Sequence, residues 1–141
     1  MDFVVDSSVF VKWLVPEAHS EKATAFVERL TRRDVDAISP DLVSAEVGHA
    51  LRSYFLSGDL SREECFSAIE DFAALAPAVT SSMLLMQEAA RLSLDNMGSF
   101  YDGLFVALAL RERCSVLTAD ERMMRAYERV APFVWIGDAP S

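Results

Sequence analysis

The chain has 141 residues, is 52% hydrophobic, and carries 22 acids against 13 bases for a formal net charge of −9. That length suits one domain with a proper core, spanning residues 1–141. The acidic balance argues against a protein that coats nucleic acid by charge alone, and no apolar run reaches the roughly 20 residues of a membrane span.

The first strand is Phe3-Val4-Val5-Asp6, an apolar run without polar alternation that suits a strand buried on both faces of a parallel sheet. It begins almost at once, with no basic leader ahead of it, so a cytoplasmic location is expected. Val9, Val11, Trp13 and Leu14 mark a short helix stopped near Pro16. A second helix is predicted from about Ser20 to Arg32, with Ala23, Phe26, Val27 and Leu30 on its apolar face. Val35 to Ser39 alternates and reads as a second strand. Ser39-Pro40-Asp41 has the form of a helix start, Ser as cap and Pro in the first turn, for a helix reaching about Phe55. Its stripe is Val43, Val47, Ala50, Leu51, Tyr54 and Phe55, with Glu46 beside it.

After a turn at Ser57-Gly58-Asp59, Ser61 and Glu64 form a capping box for a helix carrying Phe66, Ile69 and Phe72. Ala78 to Thr80 is a weak third strand. A helix from about Ser82 to Leu94 presents Met83, Leu84, Met86, Ala90 and Leu94. Tyr101 to Leu110 is apolar nearly all round and reads as a central helix. Ser115 to Thr118 is the fourth strand, Glu121 to Arg129 the last helix and Phe133 to Ile136 the last strand. Strands alternating with helices predict an α/β domain, a parallel sheet with helices on both faces. Cys65 and Cys114 are expected to be buried thiols.

In such sheets chemistry lies beyond the carboxyl ends of the strands. Asp6 and Asp120 each follow an apolar strand, Glu46 adjoins an apolar helix stripe, and Asp102 opens the most apolar helix. If the four converge, their repulsion calls for a cation, and oxygen-only ligands suit Mg²⁺ or Mn²⁺ rather than zinc. Such an ion activates water and clamps a phosphoryl oxygen. Each acid also has a purely structural reading: Asp6 and Asp120 as helix caps, Asp102 as partner to a Ser99 cap, Glu46 as boundary surface. There is no Walker A loop, no GxGxxG and no GxSxG. His49 has no evident triad partner and reads as a polar rim residue.

The order Asp6, Glu46, Asp102, Asp120, on strand end, helix, helix start and strand end, resembles the PIN domain. Val5-Asp6-Ser7-Ser8-Val9, Val11-Lys12-Trp13, Pro16-Glu17, Ala45-Glu46-Val47, Tyr101-Asp102-Gly103 and Leu117-Thr118-Ala119-Asp120 are similar to VapC-type toxins of toxin–antitoxin pairs. Gly103 stands where Ala is common in that family, and His49 where Asn is common. The resemblance implies a three-layer α/β/α domain with a five-stranded parallel sheet of order 3-2-1-4-5. It implies Mg²⁺- or Mn²⁺-dependent endoribonuclease activity through a metal-activated water. Asp6, Asp102 and Asp120 would be ligands, Glu46 would ligate the metal or orient the water, and Ser8 would lie near the metal. Lys12 is the base nearest the acids in sequence and a candidate contact to the RNA backbone. The implied partners are an antitoxin protein and a second copy in a homodimer. A PIN nuclease processing RNA outside a toxin pair, and a binding module with little catalysis, remain the alternatives.

Overall fold

The computed structural model describes residues 1–140. Five strands, β1 (Phe3–Val5), β2 (Ala37–Pro40), β3 (Val79–Thr80), β4 (Ser115–Thr118) and β5 (Phe133–Trp135), form one sheet of order β3-β2-β1-β4-β5. Each neighbouring pair is parallel, with Val4 opposite Ile38 on one side and Val116 on the other. The helices are α1 (Ser7–Leu14), α2 (Ser20–Thr31), α3 (Leu42–Leu56), α4 (Arg62–Leu75), α5 (Met86–Asn96), α6 (Phe100–Glu112) and α7 (Glu121–Tyr127). Right-handed crossovers place α1 to α4 on one face of the sheet, and α5, α6 and α7 on the other. The fold is the three-layer α/β/α arrangement that the sequence implied.

The core explains the sequence pattern. Val4, Val5, Val116 and Leu117 are fully buried because β1 and β4 are covered on both faces. α6 is buried continuously from Gly103 to Ala109, as befits a helix laid across the sheet beneath α5. Its start is capped by the Ser99 hydroxyl, which accepts from the Asp102 amide at 3.0 Å. The Ser61–Glu64 capping box of α4 is present with both of its hydrogen bonds. Cys65 and Cys114 are free thiols, half-buried and buried respectively. Among the described residues no helix is long and apolar enough to cross a membrane.

Three expectations change. Ser39 and Pro40 end β2 instead of opening a helix, and α3 begins at Leu42. The Ser39 and Asp41 amides donate to Ala78 and Thr80 of the neighbouring strand. Pro40 between them has no N–H to offer β1, and the buried Ser39 hydroxyl donates to the Val5 carbonyl at 2.6 Å. Second, the helix predicted from Ser82 is a 3-10 turn at Ser82–Leu84 followed by α5. Its buried face is Leu85, Ala89 and Leu92, while Met83, Leu84, Met86 and Leu94 face outward. Third, Phe66 and Ile69 of α4 and Phe55 of α3 are exposed. Phe72 carries the packing of α4, its ring edge-on to Phe10 at 5.3 Å between centroids.

Candidate active site

The sheet order reverses between β1 and β4, the point at which open α/β sheets place their ligand crevice. A solvent-open cleft of about 680 Å³ lies there, lined by Asp6, Ser8, Lys12, Glu46, Asp102 and Asp120. All six residues singled out in the sequence therefore reach one place. His49 does not: it is exposed on α3 and is not among the residues lining the cleft.

Each acid is delivered by a different element. Asp6 follows β1 and is only 4% exposed. Its Oδ2 accepts from the Ser8 hydroxyl at 2.5 Å and from the Thr118 hydroxyl at 3.0 Å. The same two hydroxyls accept from the Ala119 and Asp120 amides, stitching β1, the start of α1 and the end of β4 together. Asp120 caps α7, its Oδ1 accepting from the Arg122 and Met123 amides. The structural reading of Asp120 is thus realised through one oxygen, and Oδ2 takes no part in the cap. Glu46 projects from α3 and accepts from Ser7 at 3.1 Å. Asp102 stands in the first turn of α6.

The acids feel one another. Burial, then the neighbouring Asp6 carboxylate, pushes Glu46 up to about 7. The same two causes, with Asp120 added, push Asp102 up to about 6, against smaller opposing pulls from the Ser99 hydrogen bond and then Arg122. Asp6 is raised as well, chiefly by burial and in part by Asp120, against the Ser8 and Thr118 hydrogen bonds. Burial is the first cause at all three acids, and the neighbouring carboxylates add to it.

Sequence reasoning missed several lining residues: Ser7, Glu17, Tyr54, Arg122 and Arg125. It also passed over Thr118, fully buried behind Asp6. Glu17 and Thr118 lay within the quoted motifs, and Arg122 and Arg125 lie on the first two turns after Asp120. Ser7 too lay within a quoted motif, so position alone could have flagged these five; nothing local marked Tyr54.

A family model, the PIN domain, matches residues 3–129. The chain belongs to the PIN domain family. A curated relative from Mycobacterium tuberculosis, named Ribonuclease VapC1, is 33% identical over 124 residues, covering 87% of this chain and 89% of the relative. Ribonuclease VapC3 of Pyrobaculum aerophilum is 30% identical over 131 residues, covering 90% and 95%. Among solved structures, PAE2754 from Pyrobaculum aerophilum superposes with a TM-score of 0.72 over 97% of this chain and 90% of that one. Its sequence identity is 16%, a likeness of fold.

The donor set of this PIN domain is oxygen only, anionic and open to solvent, which fits a hard divalent cation. Among the described residues no group of three or more Asp, Glu, His or Cys side chains is arranged to hold a metal ion as the side chains stand.

Proposed function

We propose that this PIN domain is a Mg²⁺- or Mn²⁺-dependent endoribonuclease, the toxin of a VapBC-type toxin–antitoxin pair. The observation that carries the reading is the convergence of four carboxylates, from four separate stretches of chain, in one open cleft at the β1–β4 switch point. The ribonuclease names of the two relatives support the choice of substrate.

In this reading Asp6, Asp102, Asp120 and Glu46 hold the cation, directly or through water. When bound, the ion supplies charge neutralisation at the phosphate and an acidified water. Glu46, whose carboxyl is pushed up to about 7 in the metal-free protein, would orient the attacking water and take its proton. The water oxygen bonds to phosphorus in line, the bond to the 3′ oxygen breaks, and that oxygen takes a proton from solvent water as it leaves. The products are a 5′-phosphate and a 3′-hydroxyl. Ser8 and Thr118 hold the Asp6 carboxylate in one orientation. Lys12 contacts the RNA backbone near the cleft.

The reading includes a homodimer and an antitoxin partner. Support comes from exposed apolar side chains in two places: Met83, Leu84, Leu94 and Met97 around α5, and Phe55, Phe66 and Ile69 on α3 and α4. It also places the protein in the cytoplasm, where such a substrate is found.

Purified protein with RNA and Mn²⁺ tests the reaction. Cleavage is expected to stop with EDTA and to fall by about 100-fold or more in Asp6→Asn and Asp102→Asn. Undiminished cutting by both variants refutes the mechanism. Growth arrest on expression without the co-encoded neighbour tests the toxin assignment.

A further inference from the structure

Glu17 is outside the acid cluster but lines the same cleft. The loop that carries it is closed on itself. The Glu17 amide donates to Ser20 Oγ at 2.8 Å, the Ser20 hydroxyl donates to the Val15 carbonyl at 3.0 Å, and the Ser20 amide donates to the Glu17 carbonyl at 3.1 Å. With its backbone so fixed, the Glu17 side chain bridges two helices. Its Oε2 accepts from the Tyr54 hydroxyl on α3, the helix of Glu46. Its Oε1 lies 3.5 Å from the Lys12 ammonium on α1, the helix that opens with Ser7 and Ser8. The Tyr54 hydroxyl is pushed up to about 12, first by this hydrogen bond, so it stays a donor near neutral pH.

Exposed ion pairs contribute little, because two long side chains must be held in one geometry. This pair is different. The Lys12 and Glu17 side chains are 15% and 25% exposed, and the third partner restrains the carboxylate before the lysine meets it. The ammonium carries three donors. Glu17 is its one ion-pair partner among the described residues.

We propose that Glu17 is a positioning residue: braced by Tyr54, it holds the Lys12 ammonium at the mouth of the acid cleft, where it binds an RNA phosphate flanking the one that is cut. The identity of the ligand rests on the ribonuclease reading above.

The test is RNA binding by the full chain, followed by anisotropy of a fluorescein-labelled single-stranded RNA oligonucleotide, with Ca²⁺ in place of Mn²⁺. Tyr54→Phe keeps the ring and the net charge and removes only the donor. It is expected to weaken binding about threefold to tenfold. Lys12→Ala is expected to weaken binding at least as much and to lower the slope of log K against log salt by about 0.7, one phosphate contact on a single strand. The double variant is expected to bind like Lys12→Ala alone, because the tyrosine acts through the lysine. Glu17→Gln supplies an opposite-sign check: losing an anion tightens RNA binding by charge alone, whereas losing the brace weakens it.

An equal Tyr54→Phe penalty in the Lys12→Ala background, an unchanged salt slope in Lys12→Ala, tighter binding by Glu17→Gln, or no RNA binding by the unaltered chain each overturns the proposal. If the couplings appear but Mn²⁺ brings no cleavage, the ribonuclease reading falls and the positioning role stands. If RNA is cut but these variants bind like the unaltered chain, the positioning role falls alone.

Discussion

Thr118 shows how much of the site depends on groups that do no chemistry. Its buried hydroxyl donates to Asp6 and accepts from the Asp120 amide, so one oxygen orients the carboxylate of one acid and pins the backbone of another. Thr118→Val keeps the shape but strips a donor from a buried carboxylate and leaves an amide unpaired. A loss of about 1–3 kcal/mol is expected in urea unfolding, together with a fall in cleavage activity. The acids themselves were legible because each interrupts or ends an apolar run. Thr118 was not, because a hydroxyl at the end of a β-branched strand looks like ordinary strand composition. Tyr54 was read as part of a buried stripe, and its hydrogen bond to a glutamate 37 positions away has no local signature.

At the level of elements, the packing of α5 on α6 turns on Gly103. A Cβ there would stand 2.9 Å from the Ala89 carbonyl oxygen on α5, a backbone atom that cannot swing aside, and 3.4 Å from the Tyr127 hydroxyl. By helix propensity alone a glycine here costs about 1 kcal/mol relative to Ala. The structure gives the glycine a reason. Gly103→Ala is expected to destabilise by about 1–3 kcal/mol despite that propensity gain, read as a lower urea midpoint with unchanged slope. A rise in the midpoint would mean that α5 moves away freely. The alternation of strands and helices was legible from apolar runs, caps and turns. The Ser39-Pro40 boundary was not, because serine followed by proline suits a helix start and a strand end equally well. Only the ladder to Ala78 and Thr80 decides between them. The inward face of α5 was hidden for a related reason: its stretch is apolar on several sides, and small Ala89 wins the contact over larger methionines.

For the molecule as a whole, the gathered acids set the response to pH. Glu46 rises from 4.5 to about 7 and Asp102 from 3.8 to about 6, and Asp6 is raised as well. A carboxyl with a raised folded pKa binds protons more tightly when folded. The metal-free protein therefore loses stability as pH rises from about 4.5 through about 7. Asp41, Glu64 and Glu88 are lowered and act in the opposite sense at more acidic pH, but they are largely solvated. Thermal unfolding without divalent ions is expected to show a midpoint falling across that window, and Glu46→Gln should flatten the fall. At pH 7.5, Mn²⁺ at about 100 times its Kd is expected to restore about 2.7 kcal/mol; no rise in the midpoint would remove the cation from the site. The hydrogen bond between Thr118 and Asp6 joins residues 112 positions apart. A nascent chain thus carries Asp6 out of the ribosome long before β4 exists to support it. Any product of interrupted translation ending short of residue 115 lacks the strand on which that pocket closes.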